Sequence, residues 1–148
     1  MKPVIAVIDT NVVVAGLITG GRNSPTARIL DGMLTGGFSF MLSIDLLAEY
    51  RLVLLRSRIK KLHRLSEREI DTLLTEITTN AKMQEIGLET AAQTAGPPDS
   101  GDRHLWDLLK TRAGSMLVTG DKALLENPPK WAKVVTPRAF VNELDRKN

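Results

Sequence analysis

The sequence contains no cysteine, which excludes disulfide bonds, thiolate metal sites and cysteine nucleophiles together. Aromatic residues make up only 4% of the 148 residues, so an aromatic-lined surface for stacking single-stranded bases is not expected. No apolar stretch approaches membrane-spanning length, and the apolar run at residues 4–8 is too short for a signal peptide. We therefore expect a cytoplasmic protein with no membrane partner, whose available metal ligands are carboxylates and two histidines.

Several catalytic signatures are also missing. The sequence has no Gly-x-Ser-x-Gly turn, which disfavours a Ser-His-Asp hydrolase, and no Gly-rich phosphate loop of the Walker or dinucleotide type. Hydrophobic residues make up 43% and charged residues 25%, as in an ordinary globular protein. With no internal repeat or linker, the whole chain, residues 1–148, is expected to form one domain.

Strand and helix signals alternate along the chain. The β-branched run at residues 4–8 is typical of a strand buried on both faces, and residues 38–42, 115–119 and 133–135 are further strand candidates. Helices are expected to begin at Ser24-Pro25, at Ser43 and at the capping box of Ser66 and Glu69, and a fourth helix is expected from Asp102 to a left-handed cap at Gly114. This alternation predicts an α/β domain with three layers, α/β/α, around a mostly parallel central sheet.

Four carboxylates stand where such a fold places ligands. Asp9 and Asp121 directly follow predicted strands, and the carboxyl ends of parallel strands are the usual binding edge. Asp102 begins a helix after the loop that contains Gly96-Pro97-Pro98, and Glu49 lies in the second turn of its helix, where capping cannot explain it. Taken singly, Asp9 and Asp102 also fit plain helix caps, Asp121 a turn residue and Glu49 a solvated side chain.

A cluster of four carboxylates would have to take up protons or hold a cation. Oxygen-only ligation favours Mg²⁺ or Mn²⁺, and these ions activate water and stabilise charge on a phosphodiester. Metal-assisted phosphodiester hydrolysis is therefore the functional hypothesis that the carboxylates suggest. His63 and His104 are assigned no catalytic or ligand role, because His104 lies in a first helical turn whose neighbouring side chains point apart.

Four segments together resemble the PIN-domain family. They are the opening strand with Asp9-Thr10-Asn11, the mid-chain Glu49, the stretch Asp99-Ser100-Gly101-Asp102, and residues 117–125 with Val118-Thr119-Gly120-Asp121. The resemblance spans nearly the whole chain and is strongest to bacterial PIN-family toxins of toxin–antitoxin systems, related to VapC-type ribonucleases. It implies a metal-dependent ribonuclease that acts on RNA, pairs with a small antitoxin protein and forms a homodimer.

The resemblance also assigns roles to individual residues. Asp9, Glu49, Asp102 and Asp121 map onto the acidic quartet that holds Mg²⁺ or Mn²⁺ and carries catalysis, while Asn11 and Thr119 map onto polar neighbours that orient ligands or water. Asp99 matches an acidic position just before the third carboxylate. Ser100-Gly101 stands where many relatives have Pro followed by Asp, so the division of roles between Asp99 and Asp102 stays open.

The strongest basic segment follows Glu49. It contains Arg56, Arg58, Lys60, Lys61 and Arg64 with no acidic residue among them, and it could bind RNA phosphates. A solvated face of a connecting helix explains the same pattern equally well. The net charge of +3 is compatible with an anionic partner without requiring one.

Two other functions fit parts of the same pattern. A receiver-like phosphotransfer domain gathers acids on a similar fold, but its first strand should end in paired acids, and Asp9-Thr10-Asn11 does not supply them. A non-catalytic PIN-like module that binds RNA or an antitoxin would not need all four acids, and this chain has all four.

Overall fold

The central strand of the sheet is the β-branched run that the sequence singles out. In the computed structural model, which describes residues 4–19, 21, 23–86 and 96–146, β1 (Ile5–Ile8) is buried along its whole length. It pairs in parallel with β2 (Ser39–Leu42) on one side and with β4 (Met116–Val118) on the other. β3 (Lys82–Met83) extends the sheet beyond β2, and β5 (Lys133–Val135) extends it beyond β4. The order is β3-β2-β1-β4-β5, and every pair among the described strands is parallel.

Eight α-helices cover this sheet within the described residues, which gives the predicted three-layer α/β/α architecture. They are α1 (Thr10–Ile18), α2 (Pro25–Thr35), α3 (Ile44–Leu54), α4 (Ser57–His63), α5 (Glu67–Asn80), α6 (Arg103–Lys110), α7 (Lys122–Glu126) and α8 (Pro137–Arg146). A short 3₁₀ turn (Ser100–Asp102) leads into α6. α6 packs against β1 and β4, whereas α1 packs against α2 and α3. None of the helices in these described ranges is long and apolar enough to cross a membrane.

Three predicted helix starts are confirmed by the hydrogen bonds of their caps. The Ser24 hydroxyl accepts from the amide of Ala27 at 3.2 Å, and the Ser43 hydroxyl accepts from the amide of Leu46 at 3.1 Å. At Ser66 the capping box is complete, because the Glu69 carboxylate also accepts from the Ser66 amide at 3.0 Å. Each cap satisfies amide groups that the first helical turn leaves unpaired.

The predicted end of the fourth helix is wrong. α6 stops at Lys110, and Thr111 ends it: its hydroxyl donates to the Leu108 carbonyl at 2.7 Å and so competes with the next helical turn. Gly114 does adopt a left-handed conformation, with φ of 84°, but it serves the turn that leads into β4. The apolar spacing that predicted the helix also ends at Leu109, so the glycine was placed in the wrong structural role.

The strand order creates a crevice at one edge of the sheet. After β1 the chain continues to β2 on one side of it, and after β4 it continues to β5 on the other side. The connections that leave the carboxyl ends of β1 and β4 therefore run in opposite directions. Open parallel sheets bind ligands at such a reversal. The residues that emerge here are Asp9 after β1 and residues 119–121 after β4.

Candidate active site

Asp9 is fixed by its backbone and by one carboxylate oxygen. Its amide donates to the Val118 carbonyl at 3.0 Å, which continues the β1–β4 pairing to the last residue before α1. Its Oδ1 accepts from the Thr10 amide at 2.8 Å, so Asp9 does cap α1, and the residue is only 5% exposed. The capping interpretation is thus correct for one of its two oxygens.

The second oxygen of Asp9 faces Thr119 and Asn11, the two side chains to which the family resemblance assigns orienting roles. Oδ2 accepts from the Thr119 hydroxyl at 2.7 Å and from the Asn11 amide at 3.3 Å. Thr119 in turn accepts from the Asp121 amide at 3.0 Å, and Asn11 Oδ1 accepts from the Gly120 amide at 3.2 Å. This network joins the ends of β1 and β4 and sets Asp9 and Asp121 side by side.

Burial makes the charge of Asp9 costly. Loss of hydration raises its pKa, the hydrogen bonds from Thr119 and Thr10 lower it, and the neighbouring charges of Glu49 and Asp121 raise it again; the balance is a raised pKa. Hydrogen bonds from the protein therefore do not fully replace the water that Asp9 has lost.

Asp121 caps α7 in the same way. Its Oδ1 accepts from the Ala123 amide at 2.9 Å, and the side chain is half-buried. Within the described residues its other oxygen accepts no hydrogen bond, which leaves it available to the groove.

Glu49 reaches the site from α3. Its Oε2 lies 2.6 Å from Nε2 of His104, whose side chain is 17% exposed. The angle of this contact is poor for a hydrogen bond. By that criterion Oε2 has no hydrogen-bond partner among the described residues. An imidazole nitrogen and a carboxylate oxygen only 2.6 Å apart must nevertheless have a proton between them. The next residue, Tyr50, is fully buried and donates its hydroxyl proton to the Ile8 carbonyl, which ties α3 to the strand that carries Asp9.

Asp102 is not a helix cap. It occupies the position before α6, yet its side chain accepts no capping hydrogen bond, which makes the capping interpretation wrong here. Its pKa is raised to about 6, first by partial burial and then by the negative charges of Asp9, Asp99, Asp121 and Glu49. The structure therefore brings the other three predicted acids, together with Asp99, close enough to repel Asp102.

Asp99 is engaged locally. Its Oδ1 accepts from the Gly101 amide at 2.9 Å, and its carbonyl accepts from the Asp102 amide at 3.0 Å, so it shapes the 3₁₀ turn. Asp99 also lines the groove, but one of its oxygens is committed to the turn, whereas Asp102 has no such commitment. This difference favours Asp102 as the residue that faces a ligand.

One side of the groove is apolar, which the sequence did not indicate. Asp9, Glu49, Asp99, Asp102 and Asp121 line it together with a second group of small and apolar side chains, which are Val14, Ala15, Ile18 and Val53. α1 supplies the first three of these, and α3 supplies Val53 beside Glu49. Helical spacing alone assigns such residues to the core, so only the packing of α1 on α3 reveals them as a groove wall.

The donor chemistry of the groove fits Mg²⁺ or Mn²⁺. Its acidic side chains offer carboxylate oxygens, the ligands that these ions prefer, and partial burial together with the acidic neighbours raises the pKa of Asp102. As they are placed, no three His, Cys, Asp or Glu side chains in the described part of the chain surround a single point closely enough to ligate an ion. Ion binding would therefore involve small side-chain movements, which the unengaged oxygen of Asp121 and the uncapped Asp102 permit.

The basic segment forms α4 and its flanks. α4 packs against α1 and α3, the two helices that line the groove. In the part of the chain that the structure describes, no hydrogen bond or ion pair engages the side chains of Arg56, Arg58, Lys60, Lys61 and Arg64. The preceding Arg51 differs, because it pairs with Glu67 at 2.7 Å and with Asp71 at 2.8 Å. His63 is structural: its Nδ1 accepts from the Leu65 amide, so Nε2 carries the proton and donates to the Leu54 carbonyl.

Comparison with known proteins gives a family and a fold. The sequence profile of the PIN domain matches residues 5–123. Among solved structures, the crystal structure of FitAcB from Neisseria gonorrhoeae is similar, with a TM-score of 0.57, 19% identity, and coverage of 90% of this chain and 98% of that chain. At that identity the likeness shows a shared fold alone. No curated protein matches the sequence.

The raised pKa of Asp102 predicts a specific pH dependence. Because the pKa in the folded protein, about 6, exceeds the ordinary 3.8, the folded state binds this proton more tightly than the unfolded chain does. The contribution of Asp102 to the free energy of unfolding therefore falls as pH rises from about 4 to about 6, and stays low above that. In EDTA at pH 7, Asp102→Asn should melt higher than wild type, by roughly 2–4 °C per kcal/mol of repulsion removed.

The control is Asp31→Asn, which removes an exposed carboxylate from α2. Melting curves at pH 4 and pH 7 should show the gain of Asp102→Asn at pH 7 closing at pH 4. An equal gain in Asp31→Asn, or a gain that persists at pH 4, would contradict the raised pKa of Asp102 as the source of the effect.

Proposed function

Since this chain belongs to the PIN-domain family, we propose that it is a metal-dependent endoribonuclease that hydrolyses RNA phosphodiester bonds and serves as the toxin of a toxin–antitoxin pair. The observation that carries the proposal is the convergence of Asp9, Glu49, Asp102 and Asp121 on one groove at the carboxyl end of the sheet. Their charges repel one another, and a divalent cation would offset that repulsion.

The four carboxylates would hold Mg²⁺ or Mn²⁺, which when bound supplies an activated water and offsets charge on the phosphodiester. Thr119 and Asn11 orient Asp9 by donating to its Oδ2, and the same two side chains accept from the Asp121 and Gly120 amides. Asp9 and Asp121 are thus pre-positioned by the fold, which lowers the cost of bringing them to a common ligand.

RNA would approach over α4. The groove itself is acidic and repels a polyanion, so an attractive surface beside it is needed for affinity. Arg56, Arg58, Lys60, Lys61 and Arg64 provide that surface with side chains not engaged by the described part of the protein. Contacts of this kind hold phosphates without reading base sequence.

A non-catalytic PIN-like module that binds RNA or an antitoxin remains the second candidate. Asp121 and Asp9 each cap a helix, and a binding module could keep them for that reason alone. Asp102 distinguishes the two candidates, because it caps nothing and its charge is disfavoured first by partial burial and then by its acidic neighbours. A destabilising charge with no structural use favours the nuclease.

One face of α3 exposes apolar side chains. Ile44 is 76% exposed and Leu52 is 64% exposed, and with the exposed Ala48 they follow one face at a spacing of four residues. We propose that a second copy of the chain covers this face, and that the small antitoxin binds the resulting dimer. Exposed apolar faces of this kind mark protein interaction sites.

The metal requirement can be tested with Asp121→Asn. Asn caps a helix about as well as Asp. The Asn side chain keeps an oxygen to accept from the Ala123 amide and replaces only the oxygen that has no hydrogen bond, so the fold should be preserved. We expect cleavage of RNA by wild type only with added Mg²⁺ or Mn²⁺, a fall on the order of 100-fold in the variant, and a smaller rise in its melting temperature with Mn²⁺. Asp9→Asn is less suitable, because an amide would place a donor against the donors Thr119 and Asn11.

Asp31→Asn again serves as the matched control and should cleave like wild type. Wild-type activity that persists in excess EDTA would refute metal dependence. Full activity in Asp121→Asn would refute the role of that carboxylate.

The basic surface predicts a change in salt dependence. Replacing Arg58, Lys60 and Lys61 by Ala should weaken RNA binding and reduce the slope of log affinity against log salt by about 2, since each single-strand phosphate contact contributes roughly 0.7. A charge-matched control replaces Lys82, Lys130 and Lys133, of which Lys82 and Lys133 begin the two outermost strands, β3 and β5, at the amino ends of the sheet and not at the carboxyl ends that form the groove. Equal slopes for the two triple variants would assign α4 to a solvated face.

The α3 surface predicts a dimer that a single charge disrupts. Leu52→Glu should shift the mass measured by light scattering from dimer to monomer, because a buried carboxylate without a partner opposes association. Met83→Glu, at a 43% exposed position on the sheet edge, is the control and should stay dimeric. A wild-type protein that is monomeric at every concentration would contradict the proposed dimer.

A further inference from the structure

Glu49 differs from the other three acids in how it is held. Asp9 and Asp121 are fixed by hydrogen bonds at strand ends, and Asp102 sits at the start of a helix, but Glu49 projects from the middle of α3 on a long side chain. A glutamate in such a position loses side-chain entropy when it is confined to one orientation. The fold must therefore supply a restraint if Glu49 is to act with the others.

His104 is the side chain that supplies it. Nε2 of His104 lies 2.6 Å from Oε2 of Glu49, and both side chains are largely buried, at 17% and 32% exposed. Apart from this contact, no ion pair joins α3 to α6 among the described residues. His104 lies two positions after Asp102. The contact therefore fixes the position of the Glu49 side chain relative to both Asp102 and α6.

The ring nitrogen that faces away from Glu49 indicates where the proton lies. Nδ1 of His104 is buried and has no hydrogen-bond partner in the described part of the chain. Buried N–H groups without an acceptor are rarer in proteins than buried acceptors without a donor. The tautomer with its hydrogen on Nε2 therefore leaves no N–H at the unpartnered nitrogen and directs its donor at Glu49.

We propose that His104 is a positioning residue, which holds one oxygen of Glu49 on α6 so that the other oxygen faces the groove and its cation. The inference rests on the proposed function, because it assigns His104 a part in building the same metal site. Hydrogen bonds to ligating carboxylates orient them, and losing such a partner typically lowers metal affinity by about 10- to 100-fold.

Two substitutions separate this role from simple packing. His104→Gln keeps an N–H donor near the position of Nε2, while His104→Leu keeps apolar bulk and removes the donor. In calorimetric titration with Mn²⁺, His104→Leu should bind about tenfold more weakly than wild type, and His104→Gln should bind close to wild type. If His104 only fills space, both variants would change the melting temperature in EDTA and leave Mn²⁺ affinity unchanged, which would overturn the proposal.

A double-mutant cycle tests whether His104 acts through Glu49. In a Glu49→Gln background, His104→Leu should cause no further loss of Mn²⁺ affinity, because its target carboxylate is already gone. An undiminished tenfold loss in that background would overturn the proposal.

The failure of the inference can be told from the failure of the proposed function. Wild type that binds no Mn²⁺ would remove the metal site and this inference with it. Wild type that binds Mn²⁺ as tightly as His104→Leu would overturn the inference alone and leave the nuclease proposal standing.

Discussion

Repulsion among carboxylates is the constraint around which this fold is arranged. Two such charges about 4 Å apart oppose each other by roughly 4 kcal/mol at an effective dielectric near 20. The protein offsets part of that cost at Asp9, where donors from Thr119, Asn11 and the Thr10 amide meet the carboxylate at the start of α1. At Asp102 no capping hydrogen bond offsets the cost, and partial burial together with the acidic neighbours raises the pKa to about 6. Asp102 is therefore the position at which an incompletely compensated charge lowers the stability of the fold.

Several tertiary contacts hold the backbone around the acidic groove in place. β1 is buried on both faces, its last residue pairs with β4 through the Asp9 amide, and the Tyr50 hydroxyl ties α3 to the Ile8 carbonyl. These contacts leave the backbones around the groove few ways to relax apart. A charged site placed on mobile loops would instead spread and lose its geometry.

What the sequence could predict follows from how local each signal is. The buried strand at residues 4–8 and the serine caps at 24, 43 and 66 depend on neighbouring residues, and they were found. The placement of Asp9 and Asp121 at one edge followed from the rule for parallel sheets. The contact between His104 and Glu49 joins residues 55 positions apart on two helices, and the apolar wall at Val14 and Val53 depends on how α1 meets α3. Neither contact produces a periodic pattern in the sequence. The helix end predicted at Gly114 was wrong because the left-handed turn at this glycine lies beyond the end of the helix.

The hydrogen bond between Thr119 and Asp9 spans 110 positions of the chain. The four acids come from positions 9, 49, 102 and 121, so no shorter N-terminal part of the chain contains the whole set. During synthesis the first carboxylate leaves the ribosome long before β4 is available to pair with β1. The complete acidic groove therefore forms only after residue 121 has emerged and β4 has paired with β1. For the proposed nuclease, this order of assembly means that no cleavage can begin on a partly folded chain.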